Sequence, residues 1–198
     1  MAADILLRYS GGQLPVHPAR IAEQAGIPVF RYADYADAAG CSFDDIARRF
    51  GPDGFTIRTH GEYAIFYYPS GNLPRIRWTL AHELGHIFLG HLAPAFPAPE
   101  HPDTDADAFA AGILAPLSVL MAAGCTGPEE LARLTDLSAD AAANRWRDLN
   151  RLRRAGRKGS TQDYELLALF SGWITRVRET RGQYEQSLLP PPLKSHRI

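Results

Sequence analysis

Arg75-Ile76-Arg77-Trp78-Thr79-Leu80-Ala81-His82-Glu83-Leu84-Gly85-His86 is the stretch from which the rest of the chain is read. Ile76, Leu80, Leu84 and Ile87 recur at three- and four-residue intervals. That spacing predicts a helix from about Leu73 to Leu89 with one stripe turned toward a core. His82 and His86 fall off the stripe, nearly opposite to it. Two imidazoles at i and i+4 share a helix face and can share a tetrahedral zinc, and the adjacent glutamate points toward the water in the open coordination position. Peptide hydrolysis needs this set: a metal to acidify water and polarise the carbonyl, and a carboxylate to take the water's proton and hand it to the leaving amine. His82 and His86 are thus candidate ligands and Glu83 the candidate base. The bland alternative is two surface histidines beside a solvated glutamate, but with only 7 His in 198 residues the spacing is a poor accident. Gly85 inside the helix costs about 1 kcal/mol relative to alanine, which predicts a backbone or substrate passing close by.

A catalytic zinc site takes a third protein ligand. Asp103, Asp105 and Asp107 open a second predicted helix, from about Asp103 to Leu114, ended by Pro116. Asp103 and Asp107 share a face at i,i+4, so one can bind metal while the other orients a ligand histidine. Asp103 is the leading candidate. Asp105, Glu100, His91 and His101 remain rivals, and acidic residues at a helix start also simply favour its dipole.

Around these helices the chain alternates in period. A helix over Pro18 to Gln24 closes at Gly26, and a short strand follows around Val29, Phe30 and Tyr32. Ser42, with Asp45 three positions on, caps a helix through Phe50 that stops at Gly51. Phe55 to Thr59 and Tyr63 to Tyr68 are β-rich runs joined across His60-Gly61-Glu62, a hairpin signal. The hairpin offers an edge where an extended substrate segment can add as a strand. Beyond Gly127-Pro128 the pattern is helical over roughly 128 to 136, 138 to 153 and 162 to 184. The tail, with three successive prolines at 190 to 192, reads as disordered.

Composition narrows the partners. With 21 Lys and Arg against 22 Asp and Glu, no global field holds the chain on nucleic acid or anionic membrane. No unbroken apolar run approaches the roughly 18 to 20 residues of a spanning helix. Cys41 and Cys125 stand in no metal-like spacing, and the start lacks a signal peptide's basic and apolar regions. The expectation is a cytoplasmic protein with free thiols. Cys125 reads as a packed residue, and Phe170, Trp173, Trp146 and Tyr164 as core. Arg145, Arg147, Arg151, Arg153, Arg154, Arg157 and Lys158 concentrate positive charge beside Ala132 to Ser138, which looks like a helix-turn-helix corner. A regulatory module that binds DNA or a partner through a structural metal, without catalysis, is therefore the competing reading.

The quoted stretch, the hairpin before it and Asp105-Ala106-Asp107-Ala108-Phe109-Ala110-Ala111-Gly112-Ile113-Leu114-Ala115-Pro116 resemble the ImmA/IrrE family of metallo-endopeptidases. Pro15 to Val29 resembles the family's opening helix and strand, and Glu130 to Arg145 its later helices, so the likeness covers about residues 15 to 152. The family's third ligand is usually a glutamate four residues before an Asp or Asn. Here that position is Asp103, and its shorter carboxylate requires a closer helix. The resemblance implies an α+β, zincin-like core with a small sheet and the His-Glu-x-x-His helix over residues 1–125, then a helical region over 126–187 and a tail over 188–198. It implies Zn²⁺ on His82, His86 and Asp103, and Glu83 as the catalytic base. The implied substrate is a helix-turn-helix repressor of a phage, mobile element or stress-response locus. His60, Tyr67, Tyr68 and Arg75 are candidates for stabilising the oxyanion.

Overall fold

The computed structural model describes residues 1–93, 100–156 and 159–187. Its elements are α1 (Ala2–Tyr9), α2 (Pro18–Gln24), β1 (Val29–Arg31), α3 (Tyr32–Ala39), α4 (Phe43–Phe50), β2 (Gly54–Thr59), β3 (Glu62–Tyr67), α5 (Leu73–Phe88), α6 (Pro102–Leu114), α7 (Leu117–Ala122), α8 (Pro128–Thr135), α9 (Ala139–Ala155), α10 (Thr161–Leu169) and α11 (Ser171–Ser187). The fold is α+β, with a three-stranded sheet among many helices. The tail from 188 and residues 94–99 of the proline-rich connection lie outside the described residues.

Local chemistry sets the helix starts. Ser42 Oγ accepts from the Asp45 amide at 3.2 Å, and the Asp45 carboxylate accepts from the Ser42 amide at 3.1 Å, closing the expected capping box. Asn72 accepts from the Arg75 amide at 3.1 Å and so begins α5, with Pro74 in its first turn. Tyr32, expected in a strand, instead opens α3: the Asp34 carboxylate takes the Arg31 amide at 2.7 Å, and the chain turns helical there.

Strand order is β1-β3-β2, with β1 parallel and β2 antiparallel to β3. The run Tyr63 to Tyr68 is therefore central and offers no edge. Among the described residues the free edge of the hairpin belongs to β2, because β1 returns to pair with β3 through Val29↔Ile65. Alternation along the strands separates two faces. Phe55 and Phe66 join Tyr32 and Ile46 in an aromatic cluster beneath α3 and α4, with the Phe55 and Phe66 rings stacked at 5.0 Å. Ile65 points the other way, into the main core with Leu80, Leu84 and Ile87 of α5. Each such side chain, fully buried, contributes about 1.5–3 kcal/mol. Ile76, at the stripe's start, is only half-buried.

The main core runs on through α6 to α11, from Ile5 of α1 to Ile174 of α11. Phe170 and Trp173 are buried in it as expected, Trp146 is half-buried, and Tyr164 is exposed. The single long helix expected from 162 is two, α10 and α11, broken at the fully buried Phe170. Among the described residues one stretch, Pro102–Ala122, is long and apolar enough to cross a membrane. It is half buried inside the protein and interrupted between Leu114 and Leu117.

Candidate metal centre

Helices α5 and α6 pack antiparallel and close. A Cβ placed on Gly85 would meet the Ala106 Cα at 3.0 Å and its oxygen at 3.1 Å. The close approach expected at Gly85 is thus that of the α6 backbone. It also answers the length of Asp103: a carboxylate one methylene shorter than glutamate reaches the histidines because its helix is drawn in. Asp103 Oδ1 lies 3.4 Å from His86 Nε2, and His82 Nε2 lies 3.0 Å from His86 Nε2.

His82, His86 and Asp103 each offer one donor atom, all within 4.8 Å of one another. Tetrahedral ligands at bonds of about 2.0 Å stand roughly 3.3 Å apart, which the two shorter separations match. Two imidazole nitrogens and one carboxylate oxygen form a donor set that suits zinc. Burial, then the neighbouring His82 and His91, hold the His86 pKa below its ordinary value, so its ring is kept neutral and able to donate a lone pair.

The outward ring nitrogens are also occupied. His82 Nδ1 is 2.8 Å from Asp107 Oδ1, the orienting contact expected of Asp107. His91, a rival ligand by sequence, stands behind His86 with the two Nδ1 atoms 3.1 Å apart. A histidine five residues past His86 is by itself no signal of this role. Asp105 and Glu100 are exposed, and His101 is the residue preceding α6.

Glu83 is 8 % exposed, and burial pushes its pKa up while Thr56 and His82 pull it back. Thr56 Oγ1, on β2, donates to Glu83 Oε2 at 2.8 Å. The strand reaches this helix because position 54 is glycine: a Cβ there would meet Thr79 Cγ2 at 2.4 Å. Thr56 and Gly54 were not singled out from the sequence, where a small polar residue in a strand carries no signal.

The oxyanion candidates are otherwise engaged or distant in the fold. Arg75 forks onto Asp53 at 2.6 and 2.8 Å, Tyr68 packs its ring on Phe43 at 4.6 Å, and His60 sits at the hairpin turn with φ +54°. Tyr67, half-buried in β3, packs against the main core. Of the basic run, Arg145 turns inward to the Ala115 carbonyl at 2.8 Å and Arg153 to the Cys125 carbonyl at 2.7 Å, whereas Arg151 is exposed. Residues 157 and 158 lie outside the described residues. The Cys125 thiol is buried and pushed up by that burial, hence unreactive.

A sequence profile described as the IrrE N-terminal-like domain, of a peptidase family, matches residues 22–147. That span contains the whole cluster, Glu83 and Thr56 included. No curated protein and no solved structure matches the chain.

Proposed function

The chain belongs to the ImmA/IrrE peptidase family, and on that premise we propose that it is a zinc-dependent endopeptidase that cuts a protein partner at internal peptide bonds. One observation carries the reading: two histidines and a carboxylate converge within 4.8 Å beside a buried glutamate.

His82, His86 and Asp103 would hold zinc in a zincin-like arrangement built within residues 1–125. Bound there, the ion supplies Lewis acidity, lowering the pKa of water and polarising a carbonyl. The protein's own part lies with Glu83. Thr56 holds Oε2, which leaves Oε1 to accept a proton from the attacking water and pass it to the leaving nitrogen. Burial raises the basicity of this carboxylate and keeps bulk water from competing for it. Asp107 and His91 fix the imidazole rings from behind.

The outer edge of β2 begins at Gly54 and carries Thr56, so an extended peptide pairing there is drawn alongside Glu83. The partner we favour, from family membership, is a helix-turn-helix repressor met in the cytoplasm, whose cleavage frees its genes. Metal content of the purified protein beside His82→Ala, Asp103→Ala and Glu83→Gln tests the reading. Near-stoichiometric zinc should vanish in the first two and persist in the third, which no longer cleaves. An intact partner that is still bound, and whose genes are still freed, by both the wild type and Glu83→Gln would instead favour a binding module with a structural metal.

A further inference from the structure

Facing residues along the α5–α6 groove form successive rungs. His86 stands opposite Asp103, and His82 opposite Asp107. The next rung, four residues on in each helix and about 6 Å further along the axis, is Trp78 and Ala111. There the groove opens into a cavity of ≈ 490 Å³ lined by both residues and continued by Pro74, Leu137 and Ala141. Thr79, one turn before Glu83 on the same helix, also lines it. The cavity therefore begins one helical turn from the candidate ligands and on the side of the base.

Its lining is mixed: beside the apolar residues stand Asn72, Ser138 and Asn144, whose side-chain oxygens each accept a hydrogen bond within the protein. The ionised groups at its rim are matched: Arg75 forks onto Asp53 at 2.6 and 2.8 Å, and Arg145 pairs with Asp148 at 3.6 Å while donating to the Ala115 carbonyl. An ionised side chain entering here would lose its hydration with no unmatched partner to receive it. An aromatic or long aliphatic side chain instead meets the Trp78 ring with Pro74, Leu137 and the two alanines. The volume falls in the range of about 300–1,000 Å³ usual for small-ligand clefts. Ala111 and Ala141 leave that room open because they are small.

We propose that this cavity receives the side chain of a substrate residue flanking the scissile bond, and that it selects bulky neutral side chains, aromatic or long aliphatic. The inference rests on the peptidase reading and adds to it a preference that the catalytic cluster does not specify.

Cleavage-site profiling of a peptide library by the zinc-loaded protein, wild type beside Ala141→Trp and the milder Ala111→Leu, reads the preference. The wild type should enrich Phe, Tyr, Trp, Leu or Met at one position beside the cut. Ala141→Trp should lower kcat/KM for a bulky residue at least tenfold relative to its alanine counterpart, with Ala111→Leu between. A flat wild-type profile, or one unchanged in both variants, overturns the proposal. A second readout needs no catalysis: the Trp78 indole N–H resonance of the metal-free protein, assigned with Trp78→Phe, followed on adding N-acetyl-phenylalaninamide, N-acetyl-alaninamide or N-acetyl-lysinamide. A shift with the first alone, lost in Ala141→Trp, supports the cavity's selectivity, and equal response to all three overturns it. Should no peptide be cut while the selective shift is present, the peptidase reading fails and the cavity's selectivity stands.

Discussion

The Thr56 hydroxyl is bonded to Glu83 across 2.8 Å, joining the middle of β2 to the carboxylate of the histidine helix. Burial raises the Glu83 pKa and this hydrogen bond lowers it. Removing the hydroxyl removes a lowering influence, so Thr56→Val should move the acid limb of the kcat/KM profile to higher pH. The base must be ionised to act, hence activity at the acid end falls severalfold, while Thr56→Ser keeps the wild-type profile. The measurement is the pH dependence of cleavage.

Gly85→Ala puts a methyl group 3.0 to 3.2 Å from three Ala106 atoms. Overpacking of this kind costs about 1–3 kcal/mol, against a helix-propensity gain of about 1 kcal/mol. The expected result is a net loss of about 1 kcal/mol in urea unfolding of the metal-free protein, with weaker zinc binding because Asp103 is pushed away.

Were zinc held by His86, its Nδ1, 3.1 Å from His91 Nδ1, would be the nitrogen left to donate to His91. His91→Ala and Asp107→Ala should each weaken zinc affinity about 10–100-fold without unfolding the chain, read by competition with a chelating dye. His91→Asn, whose side-chain oxygen accepts, should lose less.

Glu130 ties α8 to α11 through Arg181 Nη2 at 2.6 Å, and it also accepts from Thr126. Burial raises its pKa, but the bonds from Arg181 and Thr126 outweigh that and hold it below the ordinary glutamate value. A depressed folded pKa contributes stability that is present above the unfolded value of about 4.3 and is lost as pH falls through the folded one. Unfolding free energy should therefore decline below about pH 4.3, and Glu130→Gln should remove that part of the decline. The variant should cost about 1–2 kcal/mol at neutral pH.

What was legible in the sequence was whatever a local rule governs. The His-Glu-x-x-His spacing, the Ser42 start and the glycine stops act within four or five residues, and α4 and α5 fall where those rules put them. The stretch 162 to 184 reads as one helix because a core Phe170 fits an unbroken periodicity as well as it fits a break. The hairpin's residues predict an edge without showing which strand carries it, because nothing in them shows that β1, more than thirty positions earlier, pairs beside β3. Thr56 at Glu83 depends in the same way on how distant elements pack, whereas His91 comes behind His86 because the chain turns back at Gly90, φ +78°, and the His91 amide donates to the His86 carbonyl at 2.9 Å.

The free edge of β2 is six residues long, Gly54 to Thr59. At about 3.3 Å per residue it spans roughly 20 Å of extended chain, and past its first turn a helix has no unpaired amides to give it. A folded helical partner is therefore open to attack only in a linker or loop already drawn out, so the shape of the partner would choose the cut before its sequence does. Along that linker alternate side chains face the same way, and recognition would be read at every second residue.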